Sequence, residues 1–128
     1  MTYFVSYFYV MRTFYSLSSC NTCQRIHREL DLSSSVKVIN IKEDPFTKEA
    51  LERLKKLAGS YEALFSKRAQ LYKKRNLKER QLSEEDYRDL LLEHYTFLKR
   101  PVLIYDEHIF IGNCKTVVAT AKKFVDEH

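Results

Sequence analysis

The chain has 128 residues, 45% hydrophobic and 30% charged, which suits one domain with a single core of ordinary size. Two glycines and two prolines exclude collagen-like repeats, a low-complexity tail and long flexible linkers. Three cysteines without a secretory signal exclude a disulfide framework and fit a reducing cytoplasm, while a formal net charge of +5 leaves nucleic acid, an anionic substrate or neither open.

Residues 1–10, MTYFVSYFYV, are apolar and aromatic but too short for a bilayer span of about 20 residues. They also lack the basic region and cleavage site of a signal peptide, so they are expected as an N-terminal extension. The domain is expected over residues 11–128. Arg12 to Leu17 is short, aromatic and roughly alternating, which predicts a first strand. Cys20 to Leu30 predicts a helix with Cys23, Ile26, His27 and Leu30 at helical spacing. Asp31 to Ser35 is polar loop, and Val36 to Ile41 predicts a second strand. Asp44 and Pro45 read as the cap and first residue of a helix that carries Leu51, Leu54, Leu57 and Ala58 and stops at Gly59.

Tyr61 to Leu77 reads as helical in pieces, and Ser83 caps a further helix with Glu84, Glu85 and Asp86 in its first turn. That helix is expected to continue through Leu90, Leu91, His94 and Tyr95. Seven basic residues fall between Lys67 and Arg80, with Glu79 the one acid. Without a helix-turn-helix, zinc-finger or RNP-type pattern, this run reads as a solvated helix face and not as a nucleic-acid surface. After Arg100 and Pro101, Val102 to Tyr105 is a buried-type strand. Asp106 and Glu107 turn it into His108 to Ile111, and Thr116 to Val125 closes as a helix.

The order β-α-β, a helical stretch over about residues 44–98, then β-β-α is the thioredoxin arrangement. The fold expected is therefore α/β, with a thioredoxin-like mixed sheet and an all-helical insertion between the second and third core strands. In this arrangement Cys20 and Cys23 stand where the first strand gives way to the first helix.

Cysteine is a nucleophile as its thiolate, and an unperturbed thiol has a pKa of about 8.5. A cysteine just ahead of a helix meets unpaired N–H groups and the positive end of the helix dipole. A second cysteine one turn on is placed to attack a mixed disulfide and release its product. Two other readings stand beside this one. Cys20, Cys23 and His27 have the spacing C-x2-C-x3-H and would hold zinc with Cys114 or His108, although all three would crowd one helix. Alternatively, the cysteines are inert small side chains. The strand, loop and helix context favours redox chemistry. His27 and Cys114 read as packing residues, Cys114 half-buried. Arg68 and Arg100 are guanidinium groups suited to oxyanions and carboxylates, although spacing alone reads each as a surface salt bridge. Pattern alone does not call for a cis bond at Pro101, since only about 5–6% of such bonds are cis.

Three blocks resemble the arsenate reductase (ArsC)/Spx family: YSLSSCNTCQRIHREL, LFSKRAQLYKKRNL and LLLEHYTFLKRPVLIYDEHIFIGN. The resemblance covers about Arg12 to Val125 and implies a thioredoxin-like fold. It aligns Cys20 with the family's reactive cysteine, Arg68 with its middle arginine, and Arg100 with the arginine before a cis proline, here Pro101. In arsenate-reducing members the cysteine attacks arsenate held by three arginines, and glutathione and glutaredoxin regenerate it. In Spx-like members a CxxC pair, matched by Cys20 and Cys23, is a redox switch on a protein that binds the RNA polymerase alpha C-terminal domain. Two features differ. Ser16 stands where arsenate reductases of this type have histidine, and beyond Pro101 this chain offers Asn113 or Lys115 in place of a third arginine.

The expectation is a cytoplasmic thiol-disulfide oxidoreductase, with Cys20 as nucleophile and Cys23 as resolving thiol. Arg68, Arg100 and Pro101 would bind an oxyanion or the carboxylate of a thiol cosubstrate. No bound cofactor or metal is expected, and glutathione with glutaredoxin, or thioredoxin, would be the reductant. A monomer without membrane or direct nucleic-acid contact is expected. The alternatives are a glutathione/glutaredoxin-linked arsenate reductase and an Spx-like regulator binding the polymerase alpha subunit.

Overall fold

The computed structural model describes residues 12–128; the extension expected at 1–10 lies outside the described residues. The chain divides into two compact units, one of residues 12–44 with Arg100–His128 and the other Pro45–Lys99.

The first unit holds a four-stranded mixed sheet in the order β2-β1-β3-β4. Strand β1 (Thr13–Ser16) runs parallel to β2 (Lys37–Asn40) and antiparallel to β3 (Val102–Tyr105), which pairs antiparallel with β4 (His108–Ile111). The central strands are buried at every residue, whereas Lys37 and Val38 of the edge strand β2 are exposed. This accounts for the unbroken apolar run of β3, since a strand covered on both faces has no need of polar alternation.

Helix α1 (Asn21–Leu30) buries Cys23, Ile26 and Leu30 along one stripe and ends at Asp31 in the left-handed region. Phe14, Ile26, Leu30, Val36, Leu103, Tyr105 and Ala121 form the core of this unit, with Val118 and Phe124 of α5 (Lys115–Glu127) packed against it. Large-to-small changes at such sites cost about 2–5 kcal/mol. At the far end of the sheet from the cysteine loop, the Arg12 guanidinium clamps both carboxylate oxygens of Asp106 at 2.8 and 3.0 Å and lies over the Tyr105 ring.

The second unit is helical: α2 (Lys48–Ala58), α3 (Gln70–Lys74), α4 (Glu84–Glu93) and short 3-10 turns at Glu62–Leu64, Leu77–Glu79 and Tyr95–Phe97. Phe65 is its centre, ringed by Tyr72, Tyr87 and Phe97, and Leu51, Leu54 and Leu91 are buried. Ser83 caps α4 as the sequence predicts, and Asp86 completes a reciprocal capping box with it. Gly59 stops α2 in the left-handed region.

Two helices fall two or more residues short at one end. Helix α2 starts at Lys48, and Thr47 caps it through its hydroxyl, which accepts the Ala50 N–H at 3.1 Å. Asp44 is occupied instead by the turn that closes β2, its N–H donating to the Asn40 carbonyl at 2.9 Å. Helix α4 ends at Glu93 because His94 is extended and its ring Nδ1 accepts the Thr96 N–H, so Tyr95 begins a separate turn.

Candidate active site

The cysteine loop is fixed before its chemistry is considered. Ser16 ends β1, and its carbonyl accepts the Ile41 N–H at 2.9 Å. The chain turns at once, with the Cys20 N–H donating to the Leu17 carbonyl at 2.9 Å. Ser18 braces the turn from two sides: its hydroxyl accepts from the Asn40 amide at 2.8 Å, and its carbonyl accepts from the Gln24 side chain. Cys20 is thereby left extended at the N-cap of α1, and its sulfur accepts the Cys23 N–H at 3.4 Å. Cys20 is partly exposed and Cys23 is fully buried, both as free thiols.

This placement separates the two thiols electrostatically. Burial works to raise Cys20, but the Cys23 N–H, the Cys23 thiol, the Arg100 guanidinium and the Thr22 N–H outweigh it, so Cys20 lies below the ordinary thiol range. For Cys23, burial leads and raises the pKa, reinforced by the hydrogen bond and charge of Cys20. Hydrogen bonds from the Leu17 backbone and the Ser16 hydroxyl offset this only in part. The first proton lost from the pair is therefore that of Cys20, the accessible sulfur. Cys23 remains a protonated neighbour.

The structure brings four of the five expected residues, Cys20, Cys23, Arg100 and Pro101, into the first unit. Arg100 acts directly on the Cys20 charge. The Arg100–Pro101 bond is cis, and the Pro101 carbonyl accepts the Gly112 N–H at 2.8 Å. Arg68 is exposed and stands in the other unit, in a turn where its N–H donates to the Ser66 hydroxyl at 3.4 Å. Among the described residues, no set of three His, Cys, Asp or Glu side chains is gathered as a metal site. His27 is exposed and stacks on Phe14 with ring centroids 5.2 Å apart.

Cys114 departs from its expected half-buried state. It is exposed at the residue preceding α5, and the backbone N–H groups of Thr116 and Val117 hold its thiol below the ordinary range. Asn113 and Lys115 beside it line an open cleft with Arg25, Glu29 and Lys122. Sequence reasoning also passed over Ser16 as a partner of Cys23. The available signal was a polar residue two positions after Phe14, on the same face of β1.

A parallel βαβ unit with a cysteine capping its helix, closed by an antiparallel hairpin and a final helix behind a cis proline, defines a thioredoxin-like protein. The ArsC family model matches residues 15–121, and the chain belongs to the ArsC family. Among solved structures, one described as "a possible arsenate reductase from Streptococcus mutans UA159" is 31% identical, with a TM-score of 0.66 over 83% of this chain and 92% of its own. The arsenate reductase from Vibrio cholerae is 22% identical, with a TM-score of 0.69 over 91% of this chain and 97% of its own. No curated protein matches the sequence. Among the described residues, no helix is long and apolar enough to cross a membrane.

Proposed function

We propose that this protein is a cytoplasmic thiol-disulfide oxidoreductase of the arsenate reductase-like kind, with Cys20 as nucleophile and Cys23 as resolving thiol. The observation that carries this reading is the Cys20 sulfur at the N-cap of α1, accepting the Cys23 N–H, with the charge of Arg100 favouring its thiolate. A partly exposed thiol in an electropositive setting attacks a disulfide or an oxyanion centre. The Cys23 sulfur, one turn away and dry, then displaces the adduct. Arg100 and Pro101, in the same unit as the thiols, serve as the anion-binding side, and glutathione with glutaredoxin, or thioredoxin, serves as reductant. Mass spectrometry after mild peroxide treatment, with and without glutathione, tests the pair. A Cys20–Cys23 disulfide or a Cys20–glutathione adduct is expected; finding neither sinks the reading.

Arsenate is the narrower reading, supported by the similar Vibrio protein, described as an arsenate reductase, and the Streptococcus protein, described as a possible one. A coupled assay with glutathione and glutaredoxin decides it: equal rates for wild type and Cys20→Ser rule arsenate reduction out. Oxidation-dependent capture of the RNA polymerase alpha C-terminal domain would instead favour a redox-sensing regulator.

A further inference from the structure

Strand β1 carries two buried polar residues, Thr13 and Ser16, the only side chains of that kind among the described residues. Phe14 and Ser16 lie two apart on one face of the strand, the face against which α1 packs through Ile26 and Leu30. Phe14 stacks on His27, and the same face of β1 brings the buried Ser16 to the buried Cys23, four residues earlier on α1. Two strand residues rise about 6.6 Å and four helix residues rise about 6 Å, so the two contacts are rungs of one strand-helix register. Ser16 is thereby held under Cys23 by the packing of the whole βα unit. Its main chain is fixed as well, by pairing with β2 and by the Ile41 N–H.

The Cys23 sulfur lies in a closed setting. Cys20 faces it from the loop, and Ser16 and Leu17 face it from the end of β1. Arg100 acts on Cys20, and His27, the next ionisable group along that face of α1, is occupied with Phe14. Of the surrounding side chains, Ser16 supplies a neutral O–H donor. Cys20, once deprotonated, supplies a charge that opposes a second thiolate.

We infer that Ser16 is a positioning residue for the resolving step, aiming the Cys23 sulfur and donating a hydrogen bond to the thiolate that forms there. The inference rests on the thiol-pair reading above. With a disulfide as the oxidising substrate, the Cys20 thiolate attacks one sulfur, the substrate S–S bond breaks and the first thiolate leaves. Cys23 then gives its proton to solvent and attacks Cys20. The mixed disulfide breaks, the Cys20–Cys23 bond forms and the second thiolate leaves. The protein dithiol loses two electrons and the substrate disulfide gains them.

A chromogenic aromatic disulfide mixed with reduced protein in a Cys114→Ser background shows both steps as two releases of aromatic thiolate. Ser16→Ala is expected to slow the second release roughly tenfold at neutral pH and to move its pH profile upward, the scale of one lost hydrogen bond to a charged group. The first release is expected to keep its rate, and Ser16→Thr, which retains the hydroxyl, to restore the second. An unchanged second release in Ser16→Ala overturns the inference. Equal slowing of both releases also overturns it, since that marks a loosened loop instead of an aimed sulfur. Wild type lacking a second release would refute the thiol pair itself, an outcome distinct from both.

Discussion

Asp106→Asn isolates the charge of the clamp between the start of β1 and the β3–β4 turn. Asp106 sits at a φ of 59°, a conformation that asparagine tolerates as well as aspartate, so the backbone of the turn is preserved. Two charge-assisted contacts from Arg12 at 2.8 and 3.0 Å are weakened. Fully buried contacts of this kind are worth about 1.5–3 kcal/mol each, but the Asp106 side chain is 36% exposed, and exposed pairs contribute only about 0.2–1 kcal/mol. The intermediate setting gives a loss of about 1–2 kcal/mol, or about 4–7 °C in Tm for a chain of this length. The pH dependence has a definite sign. The hydrogen bond and charge of Arg12 hold the Asp106 carboxyl below the usual carboxylate range. Its contribution is therefore complete above the unfolded pKa of about 3.9 and is lost as pH falls through the lower folded value. Differential scanning fluorimetry should show a wild-type advantage that is level from pH 5 to 8 and shrinks below about pH 4. No Tm difference at neutral pH, or a difference that grows on acidification, would refute the reasoning.

Two further outcomes concern the thiols. Arg100→Gln should raise the pH midpoint for alkylation of Cys20 and leave that of Cys114 where it was, because Arg100 acts on Cys20 and backbone N–H groups set Cys114; quantitative iodoacetamide labelling with mass spectrometry reads both. In native protein near neutral pH, the exposed Cys114 and the partly exposed Cys20 should be labelled well ahead of the buried Cys23. Early labelling of Cys23 would contradict its burial.

The strands and helices of the first unit are legible in the sequence because each carries a single strong period. The hairpin strands fall at Val102–Tyr105 and His108–Ile111 as predicted, bounded by Pro101 and the Asp106–Glu107 turn. Boundaries go astray where two capping side chains compete locally. Asp44 and Thr47 are both good caps, and the choice rests on which one the turn after β2 has already occupied. Cys114 is misread for a related reason. Short-range pattern shows a small residue between strand and helix, while its exposure depends on how α5 lies over the sheet. The Ser16–Cys23 contact is harder still, because it requires the register of β1 against α1. Phe14 and His27 reveal that register only once the chain is folded.

The spacing Cys20-x-x-Cys23 nevertheless encodes more than proximity. When the first cysteine takes the N-cap of α1, the second falls at the third helical residue, the one whose N–H points back at the capping side chain. This is the geometry by which Ser83 accepts from Asp86 at the start of α4 and Thr47 from Ala50 at the start of α2. In α1 the capping oxygen is replaced by sulfur, so a device that ordinarily starts a helix also stabilises a thiolate. The same register turns Cys23 inward with Ile26 and Leu30, where burial keeps it protonated. One choice of helix start therefore makes the two thiols unlike: the first is ready to attack while the second waits, held against Ser16.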